Sequence, residues 1–113
     1  MSSIRPTRLH GRELINVAGE SHYQDALHAI TQGQQRLETT AALIPEPTNP
    51  HDPNAVRVEI DEKLVGYLPR AQAVAYGPLV REPAERGRTA VCEAMVSGRD
   101  GIYGVFLKLP EVE

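Results

Sequence analysis

The spacing of apolar residues divides the chain into short elements. Residues 55–60 alternate strictly, with Val56, Val58 and Ile60 on one face and Ala55, Arg57 and Glu59 on the other, the period-2 signature of a strand with one buried face. Asp61-Glu62 then turns the chain into a partner strand over 63–68, which makes a hairpin. Residues 13–19 are rich in β-branched side chains and end on Gly19, so they predict a first strand. Ser21 stands three residues before Gln24 in capping-box spacing, and Tyr23, Ala26, Leu27 and Ile30 follow at i, i+3, i+4 and i+7. That spacing predicts a short amphipathic helix over 22–32, stopped by Gly33.

A second strand is predicted over 36–44. Pro69 opens a helical stretch from Arg70 to Tyr76, which Gly77-Pro78 interrupts and which resumes through Glu82. Strands over 88–97 and 102–109 flank Gly98-Arg99-Asp100-Gly101, whose Asp-Gly pair suits a hairpin turn. Residues 1–12 have no periodicity and read as an irregular leader, with a single domain over 13–110. The outcome is a mainly β chain with two short helices (α+β), built as a small antiparallel β-barrel or strongly curved sheet of about six strands.

Composition narrows the function classes. At 113 residues and 12.4 kDa the chain fits one domain. Twelve Lys and Arg against fifteen Asp and Glu give a net charge of −3, which argues against coating nucleic acid by bulk electrostatics. Five aromatic residues, Phe106 and four Tyr, are too few to line a long stacking groove. Charge is uneven: 41–69 is acidic and 70–99 is basic, and ten of the twelve cations are Arg, which suits bidentate contact with phosphate or carboxylate. Cys92 is alone and lies in an apolar strand, where it reads as a small buried hydrophobe. With no run of signal-peptide or membrane-span length, the expected location is a reducing cytoplasm, with no membrane partner.

Stock catalytic motifs are missing: there is no Walker-type loop, glycine-flanked nucleophilic serine, paired cysteines or helical His pair with a Glu. His10, His22, His28 and His51 lack metal-ligand spacing. Carboxylates Glu46, Asp52, Glu59 and Asp61 can in principle gather Mg²⁺ for phosphodiester cleavage, yet Glu59 points outward from its strand and Asp61 sits in a turn. No catalytic residue, metal site or cofactor is assigned.

The informative segment is Pro45-Glu-Pro-Thr-Asn-Pro-His-Asp-Pro-Asn54, where four prolines in nine residues enforce a stiff polar loop. Glu46 to Val58, followed by Val65-Gly-Tyr-Leu-Pro-Arg70 and preceded by Gly19-Glu-Ser-His-Tyr23, resembles the HIRAN domain in the order and spacing of all three blocks. The resemblance covers roughly residues 13–82. It implies a modified OB-like β-barrel that, in eukaryotic fork-remodelling translocases, captures the 3′-hydroxyl end of single-stranded DNA. This chain looks like the stand-alone bacterial type, and the family resemblance implies a role in DNA repair or the processing of damaged or stalled replication DNA, with DNA-repair proteins as candidate further partners.

Chemistry agrees with end capture. A free 3′ hydroxyl can donate to a fixed carboxylate, whereas a phosphate at the same spot meets like charge. Asp52 is the family-matched acceptor, and it also reads as a turn residue capping the backbone. Asn49 holds a ribose or base edge, Tyr67 stacks on a base beside a close-approach Gly66, and Arg70 meets a phosphate at a helix start. Tyr23 either stacks on a base or joins the apolar stripe of its helix, and His22 stands where the eukaryotic end binders carry an aromatic. Further basic help is expected from Arg81, Arg86 and Arg88. Two other classes stay open: a metal-dependent nuclease using the acidic 46–61 region, and a protein-interaction module. Oligomeric state is not legible.

Overall fold

The computed structural model describes residues 5–112, so residues 1–4 of the expected leader lie outside the described residues. Seven strands and two α-helices form among the described residues. In chain order they are β1 (Arg5–Arg8), β2 (Glu13–Asn16), a 3-10 turn (Glu20–His22), α1 (Gln24–Thr31), β3 (Arg36–Pro45), β4 (Val56–Ile60), β5 (Lys63–Tyr67), α2 (Arg70–Glu85), β6 (Arg88–Arg99) and β7 (Ile102–Leu109). The sheet runs β2-β7-β6-β3-β4-β5 with antiparallel pairing throughout. Its two ends meet where Ala18 and Tyr67 exchange backbone hydrogen bonds of 2.7 and 2.9 Å. The mainly β, barrel-like architecture is therefore as expected.

Three local expectations are corrected. The leader is not irregular over 5–8: β1 pairs in parallel with the start of β6, Arg5 opposite Arg88. The Ser21–Gln24 capping box does not form, because Tyr23 takes the N-cap position without a side-chain cap bond. Gln24 instead turns its amide to β7, donating to the Tyr103 carbonyl (2.9 Å) and accepting from the Tyr103 N–H (2.8 Å). Glu20, accepting from the Val105 N–H, holds the preceding turn to the same strand. Burial raises the Glu20 carboxyl above its ordinary value and that hydrogen bond opposes the rise.

The third correction concerns α2, which runs unbroken through Pro78 and Pro83. Ala73 and Tyr76 before the expected break and Val80 and Pro83 after it are all buried, so core packing favours one helix over two. A proline leaves the carbonyl four residues earlier without its helical partner. Here those carbonyls belong to Val74 and Leu79, both exposed, where water can satisfy them.

The core joins inward-facing residues of every central strand to both helices: Leu43, Val56, Val58, Ile60, Val65, Val96, Val105 and Leu107 with Leu27 from α1 and Val80 from α2. Cys92 is among them, with its thiol pushed up to about 12 by burial. Register slips between Val58 and Glu59, leaving Val65 as the extra residue of β5. Such a bulge turns the local pleat, so Val65 and Gly66 both face inward. No helix among the described residues is long and apolar enough to cross a membrane.

Candidate functional site

The proline-rich loop leaves β3 at Pro45 and enters β4 at Val56, and its own polar groups fold it. The Glu46 N–H donates to the Ala55 carbonyl (2.9 Å), the Asn49 N–H to the Glu46 carbonyl (3.0 Å) and the Ala55 N–H to the Asp52 carbonyl (3.0 Å). Side chains add a second layer. Asn49 Oδ1 accepts from the N–H groups of His51 (2.8 Å) and Asp52 (3.2 Å), while its Nδ2 donates to Glu46 Oε1 (2.9 Å). Asp52 Oδ1 accepts from the Asn54 N–H at 2.9 Å. With prolines at 47, 50 and 53 restricting the backbone around these bonds, the loop is a preformed wall.

Against that wall lies a cavity of ≈ 340 Å³ lined by Asn49, His51, Asp52, Ala55, Tyr67, Leu68 and Arg70. Four of the six residues singled out in the sequence thus come together from three elements: the loop, the end of β5 and the first turn of α2. Asp52 has the backbone-capping bond expected of a turn residue. One oxygen caps the backbone, and the other lies 3.6 Å from Arg70 Nε. The Asp52 side chain is 20% exposed and that of Arg70 is 79% exposed, so the carboxylate is largely shielded while the guanidinium stands in solvent. Arg70 also opens α2, whose N-terminal partial positive charge sits at the cavity edge.

Tyr67 is half-buried, and its hydroxyl donates to Glu46 Oε2 at 3.2 Å. Burial raises the phenol above its ordinary value, and the Glu46 charge and hydrogen bond add to the rise. Asn49 has less amide to offer than expected: both bonds to Oδ1 are internal, which leaves one Nδ2 hydrogen uncommitted.

His22 and Tyr23 do not line the cavity. The 3-10 turn that carries His22 and the helix that Tyr23 caps both pack on β5. Tyr23 is half-buried and outside the core cluster, His22 is exposed, and their rings meet edge to face at 6.4 Å. Gly66 does not open the backbone to a ligand as expected. A Cβ there would lie against Val17 Cγ1 and 2.6 Å from the Ala18 carbonyl oxygen, so its missing side chain admits the two residues after β2 at the sheet closure. Arg86 and Arg88 are displaced as well, since they follow the far end of α2, about 24 Å from Arg70 for sixteen helical residues.

The acidic residues of 46–61 are dispersed among other tasks. Glu46 serves Asn49, Tyr67 and Arg57; Glu59 pairs with Arg57; Asp61 sits exposed in the β4–β5 turn. Among the described residues, no three His, Cys, Asp or Glu converge on a point that could hold a metal.

A family model for the HIRAN domain matches residues 11–103. The chain belongs to the HIRAN domain family. Among solved structures, the crystal structure of the HIRAN domain of human HLTF is similar with a TM-score of 0.53 and 20% identity, covering 91% of this chain and 79% of that one. At that identity the likeness speaks for the fold, an OB-like barrel. A search of curated proteins finds no match. Within this HIRAN domain, His51 is a pocket residue that motif reasoning does not single out. Spacing offers His51 only as a metal-ligand candidate, although it stands beside Asp52 in the same proline block.

Proposed function

We propose that this HIRAN domain is a DNA-binding module that captures the 3′-hydroxyl end of single-stranded DNA in the Asn49–Asp52–Tyr67–Arg70 pocket, in the service of DNA repair. The observation that supports this reading is the Asp52 carboxylate on the pocket lining, with one oxygen capping the backbone and the other 3.6 Å from the exposed Arg70. A terminal hydroxyl donates to that second oxygen, which Arg70 gives up, in a charge-assisted hydrogen bond. Arg70 then swings to the preceding phosphate, while the Tyr67 ring, with Tyr23 and His22 from the helix and turn packed on β5, offers faces to the terminal bases. A 3′ phosphate placed at Asp52 meets repulsion instead.

Fluorescence anisotropy with short oligonucleotides ending in 3′ hydroxyl or 3′ phosphate tests the reading. The wild type should prefer the hydroxyl end, and Asp52→Ala should erase the preference. A hydrogen bond to a charged group contributes about 1.5–3 kcal/mol, so the variant should lose roughly tenfold or more in affinity for the hydroxyl end. With one or two phosphates neutralised, the logarithmic salt slope should be shallow, about −0.7 to −1.4. Equal binding of both ends by the wild type would sink the proposal.

A further inference from the structure

We infer that Glu46 is the positioning residue of the pocket, holding Tyr67 and the Asn49 loop in the arrangement that receives a ligand. This inference rests on the end-binding reading above and goes further by assigning the pocket's shape to a residue outside its lining. Glu46 lies behind the wall, on a separate cavity of ≈ 430 Å³ that it shares with Pro47, Pro50 and Arg57. Three adjacent strands bring its partners into one row. Arg57 of β4 is opposite Tyr67 on β5 and opposite Ile44 on β3, two residues before Glu46.

Three donors converge on this one carboxylate. Asn49 Nδ2 donates to Oε1 at 2.9 Å, the Tyr67 hydroxyl donates to Oε2 at 3.2 Å, and Arg57 Nη1 lies 3.7 Å from Oε2. The side chain is 21% exposed, so water competes little for these contacts. An ionised carboxylate accepts at both oxygens and donates at neither. A glutamine in its place keeps one acceptor oxygen: with that oxygen toward Asn49, its NH₂ faces Tyr67, whose hydroxyl must turn from donor to acceptor, and Arg57, whose charge it no longer pairs. The backbone of Glu46 also closes the loop onto Ala55, so one residue joins the loop's two ends and ties both to β5. A ring and loop fixed in this way need no ordering when a ligand arrives.

Glu46→Gln tests the inference by two readouts. Alkaline titration of Tyr67, followed by NMR with ring-labelled tyrosine, should show its phenol ionising at lower pH in the variant than in the wild type. Affinity for a 3′-hydroxyl oligonucleotide should fall about tenfold, and by less than threefold when Glu46→Gln is added to Tyr67→Phe, because one arm of the contact is already gone. An unchanged Tyr67 titration, or a lowered titration with wild-type affinity, overturns the inference. If the wild type shows no preference for hydroxyl ends, the end-binding reading fails by itself, and the titration still reports whether Glu46 holds Tyr67. Should Glu46→Gln not fold, Tyr67→Phe alone keeps the test: it removes only the hydroxyl that Glu46 holds, and wild-type affinity in that variant would overturn the positioning role.

Discussion

Gly66 shows how much one missing atom carries. Its φ of +151° and the close approaches of Val17 and Ala18 leave no space for a Cβ at the closure of the sheet. Gly66→Ala should therefore destabilise the fold by about 2–3 kcal/mol through combined overpacking and backbone strain, read as a lower urea midpoint at unchanged slope. From sequence this glycine looked like a place for a ligand, because nothing local announces that residues 17 and 18 return to it. Asp52 was legible for the opposite reason. Its capping bond reaches only Asn54, and local chemistry of that kind is written in the neighbouring residues. Glu46 falls between the two, since its bond to Asn49 is local whereas Tyr67 comes from 21 positions away.

At the scale of elements, strands with clean alternation emerged close to their expected bounds, β4 and β7 among them, because period 2 and burial on one face coincide. Helix ends were harder to read. Gln24 has a capping partner available in sequence, but the backbone of Tyr103 offers both a donor and an acceptor to the same amide, and the tertiary pair replaces the local one. In α2 the Gly77-Pro78 break was overridden by burial on both sides of it. Pro78 itself is exposed and sits in the helix interior, so Pro78→Ala should restore a bond to the Val74 carbonyl. Helical preference outweighs the entropy that proline removes from the unfolded chain. The expected gain is about 1 kcal/mol, seen as a higher melting temperature.

For the whole molecule, net charge and pocket chemistry are reconciled by distance. The basic residues after α2 are remote from Asp52, and among the described residues the pocket lining carries one Lys or Arg, Arg70. Stability as a whole should respond to alkali. Burial raises the phenols of Tyr76 and Tyr67 above the ordinary tyrosine value, near 10 in an unfolded chain. Both therefore favour the folded state fully below about pH 10, and that contribution is lost as pH climbs through their folded values. Urea midpoints should decline across this window. Tyr76→Phe, which also forfeits the 2.7 Å bond to the Pro110 carbonyl, should start lower at neutral pH and decline less steeply.

The two ends of the sheet are riveted at one place, and Tyr67 is half of the rivet. Its backbone locks to Ala18 while its side chain walls the pocket. If the proposed DNA end seats there, it leans on the same residue that closes the sheet, and occupancy and closure are then linked. By reciprocity, whatever the pocket gains in grip from a tight seam, the seam gains in lifetime from a full pocket. In the empty state, the amides of Ala18 and Tyr67 should be the first of the central pairing to exchange with solvent.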